Sequence, residues 1–169
     1  MLEEVVGAPS RIEKIAKDIV THFNNRPIDG KAMVVTMSRP IAVAMYKAIK
    51  GISGSPECAV IISGMDDFSD QIQDEHDVKK LEKRFKKSND SLRLVIVCDM
   101  WLTGFDVPNL HTMYLDKPLK NHGLMQAIAR VNRVYKDKPG GLIVDYIGIA
   151  ENLKKALAIY DADVQKEAM

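Results

Sequence analysis

Apolar positions along the 169-residue chain change period several times, and each change marks an element. Ile12, Ile15, Ala16, Ile19 and Phe23 recur at helical spacing behind Ser10, a suitable cap, and Asn24-Asn25-Arg26-Pro27 ends that helix. Ala32–Met37 is a continuous apolar run of the kind a buried strand needs; Ser38 and Pro40 then start a helix that reaches about Lys50. Cys58–Ser63, Leu92–Asp99, His111–Leu115 and Leu142–Tyr146 complete a set of five strand candidates. Between them lie an acidic stretch over 64–77, read as a solvated excursion, and a short basic helix from Lys79 to Lys87. A helix from about Leu124 carries Leu124, Ile128, Val131 and Tyr135 on one side. Glu151 to about Asp161 forms a last helix, and residues 1–9 read as a linker ahead of one domain over 10–169. Strands alternating with helices predict parallel βαβ units in an open α/β sheet. Ligands of such sheets gather beyond the carboxyl ends of the strands. Thr36-Met37-Ser38, Ser63-Gly64, Asp99-Met100 and Asp116-Lys117 all fall there.

Composition narrows this picture only a little. A formal net charge of +1 leaves no overall field for nucleic acid, so any such surface must be a local patch. Cys58 and Cys98 lie in or beside apolar runs and read as buried, reduced thiols. The four histidines show no metal-ligand spacing with them. No apolar run reaches the length of a membrane span and no signal peptide is visible, so a cytoplasmic protein is expected.

Candidate chemistry lies on the helix after His111–Leu115. Gln126, Arg130 and Arg133 stand at i, i+4 and i+7, opposite the apolar stripe. Two neighbouring guanidiniums suit charge developing on a transferring γ-phosphoryl group, although a solvated helix face gives the same pattern. Two other motifs are decoys. Gly30-Lys31 lacks the rest of a phosphate loop, because Ala32 follows and Asn25 holds the first glycine position. Asp74-Glu75-His76-Asp77 imitates a magnesium-binding acidic box, yet Ser69-Asp70-Gln71-Ile72-Gln73 before it is no strand. The phosphate cradle and metal acids of an NTPase are therefore expected elsewhere, and this chain reads as half of a shared site.

The order strand, Thr103-Gly104-Phe105-Asp106 loop, strand, then Gln126-x-x-x-Arg130-x-x-Arg133 helix resembles motifs V and VI of superfamily 2 helicases. The stretch VIVCDMWLTGFDVPNLHTMYLDKPLKNHGLMQAIARVNRVYKDKPGGLIVDYIGI is similar to the second motor lobe of the type I restriction endonuclease R subunit. That resemblance covers about residues 30–160 and implies a RecA-like α/β fold without a P-loop of its own. It implies arginine fingers at Arg130 and Arg133, with Gln126 coupling that contact to nucleic acid, Asp106 contacting the ribose or linking the nucleotide to the arginine helix, and Gly104 letting its loop approach a phosphate at the junction of ATP and DNA. Asp106 is alternatively a plain turn acid before Val107-Pro108. Ser38, Arg39 and Thr103 would contact DNA, though Ser38 is also an ordinary N-cap. Trp101 could stack on a base, but packing is the simpler role, and a solvated face is the simpler role for Lys79–Lys87. ATP and Mg2+ would be held mainly by a first lobe outside this chain, and neither stably by the fragment. The implied partners are double-stranded DNA, that first lobe, and modification and specificity subunits. No nuclease motif sits on a plausible strand pair, so cleavage would belong to the parent subunit. Another superfamily 2 helicase or remodeller, or a non-catalytic doubly wound binding module, are the competing readings.

Overall fold

The computed structural model describes residues 2–27, 29–72, 77–98, 107, 109–119, 121–131 and 141–147. Within them run α1 (Leu2–Val6), α2 (Pro9–Asn24), β1 (Lys31–Thr36), α3 (Arg39–Lys50) and β2 (Cys58–Ile61). A 3-10 turn at Met65–Phe68 precedes α4 (Val78–Lys86), β3 (Leu94–Val97), β4 (Leu110–Asp116), α5 (Asn121–Val131) and β5 (Leu142–Asp145). The five strands form one sheet in the order β2-β3-β1-β4-β5, and every pairing is parallel.

The continuous apolar runs are explained by burial on both faces. Val34, Ile96, Val60 and Tyr114 point into a core with α2 and α3. Val35, Val97, Ile61 and Leu115 point into a second core with Leu81 and Phe85 of α4 and Ala127, Ile128 and Val131 of α5. The result is a three-layer α/β/α arrangement. Thr36 pairs with Asp116, Val35 with Val97, and Leu115 with Asp145, so the carboxyl ends of the strands are aligned along one edge.

Several local expectations shift. Residues 1–9, read as a linker, contain α1, and Val6 is 1% exposed against the first core. Ser10 lies inside α2 rather than capping it, because Pro9, with its missing N–H and fixed φ, takes the opening position after Ala8. The acidic stretch is not wholly solvated: Met65 and Ile72 are buried in the core and pull its first half onto the fold. Residues 73–76, which include Asp74, Glu75 and His76 of the decoy acidic box, lie outside the described residues, whereas its Asp77 caps α4. Both cysteines are free thiols that are half-buried rather than buried. The last helix, expected over 151–161, also lies outside the described residues.

Candidate functional site

The edge at the carboxyl ends of the strands brings together chain segments far apart in sequence. After β1, Ser38 takes an extended conformation (φ −151°, ψ 164°), and its Oγ accepts the Ile41 N–H at 3.3 Å. That bond satisfies the Ile41 donor, the Ala42 N–H donates to the Ser38 carbonyl at 2.9 Å, and Pro40 has no N–H, so the start of α3 is largely satisfied by its own residues. Arg39, the first residue of α3, donates from Nη1 to the Ser63 carbonyl at 3.2 Å and to Asp67 Oδ2 at 3.3 Å. Its guanidinium carbon lies 5.8 Å from the centre of the Phe68 ring. Thr36 Oγ1 donates to the Val97 carbonyl at 2.9 Å, tying the end of β1 to that of β3.

At the end of β4, Asp116 is fully buried and receives a two-pronged contact from Arg11 of α2, at 2.7 and 3.1 Å. The same guanidinium donates to the Tyr146 and Val6 carbonyls at 3.0 and 3.1 Å. Burial pushes the Asp116 carboxyl above its ordinary range, and the hydrogen bond and charge of Arg11 oppose that push. One side chain thus joins α1, α2, β4 and the turn after β5. Nothing local in the sequence announces a contact between positions 105 apart.

A tyrosine cluster packs beneath this network. Tyr114 Oη and His22 Nδ1 are 2.7 Å apart, Tyr146 Oη donates to Asp18, and the two tyrosine rings stack at 6.4 Å. Burial raises both phenols. They are structural groups that fix α2 against β4 and the turn after β5.

Following β4, α5 divides as its spacing predicts: Ala127, Ile128 and Val131 are buried against the sheet, while Gln126 and Arg130 are half-exposed. Of the residues assigned from sequence, the structure describes Ser38 and Arg39 at the start of α3, and Gln126 and Arg130 on α5. Thr103, Gly104, Asp106 and Arg133 lie outside the described residues, as does Trp101. Among the described residues, no group of three or more His, Cys, Asp or Glu side chains could hold a metal ion. No helix of the described residues is long and apolar enough to cross a membrane.

The family model for domain 3 of the type I restriction enzyme subunit R matches residues 61–148, slightly more than half of the chain. The chain belongs to this family. A putative type I restriction enzyme MjaIXP endonuclease subunit from Methanocaldococcus jannaschii is 53% identical over 99% of the chain, which covers 17% of that protein. The type I restriction enzyme HindI endonuclease subunit from Haemophilus influenzae is 44% identical over 94% of the chain and again 17% of its own length. The domain-3 chain thus spans about a sixth of the curated relatives it matches. Among solved structures, a fragment of a putative HsdR subunit from Vibrio vulnificus YJ016 superposes with a TM-score of 0.72 at 18% identity, over 90% of this chain and 30% of that one. The C-terminal domain of Dbp5 from S. cerevisiae gives 0.60 at 16% identity, over 89% of this chain and 80% of that one. These likenesses establish a fold of the RecA-like kind found in helicase C-terminal domains.

Proposed function

We propose that this chain is the second motor lobe of an ATP-dependent double-stranded DNA translocase, within the R subunit of a cytoplasmic type I restriction enzyme. The observation that carries the reading is the two-faced α5, which buries Ala127, Ile128 and Val131 and turns Gln126 and Arg130 to the other side. Arg130 and Arg133 would act as arginine fingers on the γ-phosphate of ATP held by a first lobe. Gln126, with Gly104 and Asp106 of the preceding loop, would couple that contact to DNA held by Ser38, Arg39 and Thr103.

The donor set supports an anionic phosphate rather than a metal. Guanidiniums and a helix start are anion partners, whereas Mg2+ needs rigid oxygen ligands. ATP, when bound between the lobes, supplies the phosphoryl group and the energy for stepping, and Mg2+ would sit with the first lobe. This lobe's own residues would neutralise charge, orient the phosphate end and grip one stretch of DNA backbone. The modification and specificity subunits of the enzyme would select the DNA sequence, and cleavage would fall to another part of the R subunit.

Two measurements on the isolated chain test this division of labour. Purified alone, it should show no steady ATP turnover. Its affinity for duplex DNA should be weak at physiological salt, because few phosphate contacts and a net charge of +1 release few counterions. Steady hydrolysis by the isolated chain, or salt-insensitive sub-micromolar DNA binding, would overturn the half-motor reading.

A further inference from the structure

Arg39 is already engaged by the protein's own acid. Its partner Asp67 lies in the 3-10 turn Met65–Phe68, part of a stretch from Gly64 to Ile72 with Asp66, Asp67 and Asp70 and no lysine or arginine. That turn is held in place. Met65 and Ile72 are buried beneath it, the Asp67 N–H donates to the Gly64 carbonyl at 3.1 Å, and Lys47 of α3 donates to Gln71 Oε1 at 3.3 Å. Gly64 has φ 67°, a left-handed conformation that favours glycine, and a Cβ there would run into the Arg39 guanidinium. The chain therefore reaches its carboxylate to Arg39 through a position that only a glycine fits comfortably.

We propose that Asp67 is an internal stand-in for a DNA backbone phosphate, holding the Arg39 guanidinium until DNA displaces it. This inference rests on the reading of Arg39 as a DNA contact. A carboxylate and a phosphodiester carry the same single negative charge and offer the same acceptor oxygens to a guanidinium. The Arg39 and Asp67 side chains are 43% and 69% exposed, so the pair is open to exchange with a solvent-borne anion. An exposed pair is weak, which a reversible occupant must be. The Ser63 carbonyl contact can persist through the exchange and keep Arg39 aimed at the edge. The acidic stretch thereby raises the threshold for nonspecific DNA capture at this point of the surface.

Equilibrium binding of a nonspecific duplex, measured across a salt series, tests the exchange in a full-length R subunit carrying this lobe. The variants are Arg39→Ala, Asp67→Asn, the double variant, and Asp66→Asn as a neighbour of equal charge. Arg39→Ala should weaken binding and reduce the salt slope by about one. Asp67→Asn should tighten binding about two- to fivefold, the scale of one exposed ion pair, and more than Asp66→Asn does. In the Arg39→Ala background that gain should vanish. A gain that survives there, or one matched by Asp66→Asn, means general repulsion and overturns the role of Asp67 while leaving Arg39 as a DNA contact. Unchanged binding by Arg39→Ala removes the DNA role of Arg39, and the stand-in with it. Thermal melts of each variant exclude unfolding as the source of either result.

Discussion

Lys31 stands at the foot of β1 and is 1% exposed, an unusual place for an ammonium. Its Nζ donates to the Arg84 carbonyl at 3.1 Å and lies 5.2 Å from the centre of the Phe85 ring. That carbonyl belongs to the last turn of α4, where it also accepts the Lys87 N–H at 3.1 Å and where positive charge is favoured. In sequence, Gly30-Lys31 mattered only as an incomplete phosphate loop; its structural job was invisible because it depends on a residue 53 positions away. Burial lowers the ammonium from the ordinary 10.5 to about 8, with Asp90 pulling partly the other way. The unfolded chain therefore binds the more protons between about pH 8 and 10.5, and the cost of burying the charge, fully present below pH 8, is relieved as pH rises through that window. Lys31→Met removes this relief. The stability difference between the natural chain and Lys31→Met should move in favour of the natural chain from pH 8 to 10.5, read by denaturant melts. Parallel pH profiles would show that Lys31 is not the titrating group. The Arg11–Asp116 pair behaves differently, since removing one partner strands the other. Arg11→Ala should destabilise the domain by about 3 kcal/mol, near the low end for a buried pair because Arg11 is partly exposed. A loss under about 1 kcal/mol in a thermal melt would mean that water replaces Arg11 at little cost.

At the scale of elements, α5 separates a packed face from a half-exposed one. Ile128→Ala should cost about 2–5 kcal/mol, since the side chain is buried against β4 and the cavity cannot fully close. Arg130→Ala, on the half-exposed side, should change stability by about 0.5 kcal/mol or less. Thermal melts that rank the two the other way round would invert the assignment of faces. The strands were legible from their apolar runs, which in the central β3 are apolar at every position because both faces are buried, as in Leu94-Val95-Ile96-Val97. Helices α2 and α5 were legible from their 3.6-residue period, and α3 from its Ser38 and Pro40 start. What escaped was tertiary in origin. The stretch Leu2–Val6 is too short to declare a period, and Val6 is ordered by a core that only the fold creates. The acidic stretch read as solvent because its charges outnumber its anchors, yet Met65 and Ile72 decide where it lies.

For the molecule as a whole, alternating strands and helices foretold a parallel sheet but not its order, β2-β3-β1-β4-β5, which depends on long-range pairing. That order puts β1 between β3 and β4, so the start of α3 and the ends of β3 and β4 share one edge. The two clusters assigned from sequence, Ser38-Arg39 and Gln126-Arg130, stand on elements that flank β1 and β4. The Arg39–Asp67 contact was beyond sequence reasoning, although the acidic composition and Gly64 were its available signals. A single ATP site, completed by a lobe outside this chain, is the use we propose for the half-exposed Arg130 and for Arg133. DNA-stimulated ATP turnover by full-length R subunits carrying Arg130→Ala or Arg133→Ala tests that claim most directly. Each substitution should lower turnover by roughly 10³-fold or more, with ATP binding much less affected and translocation failing in parallel. Turnover that stays at the natural level in both variants would leave the stripe as solvated surface and remove the arginine fingers from the account.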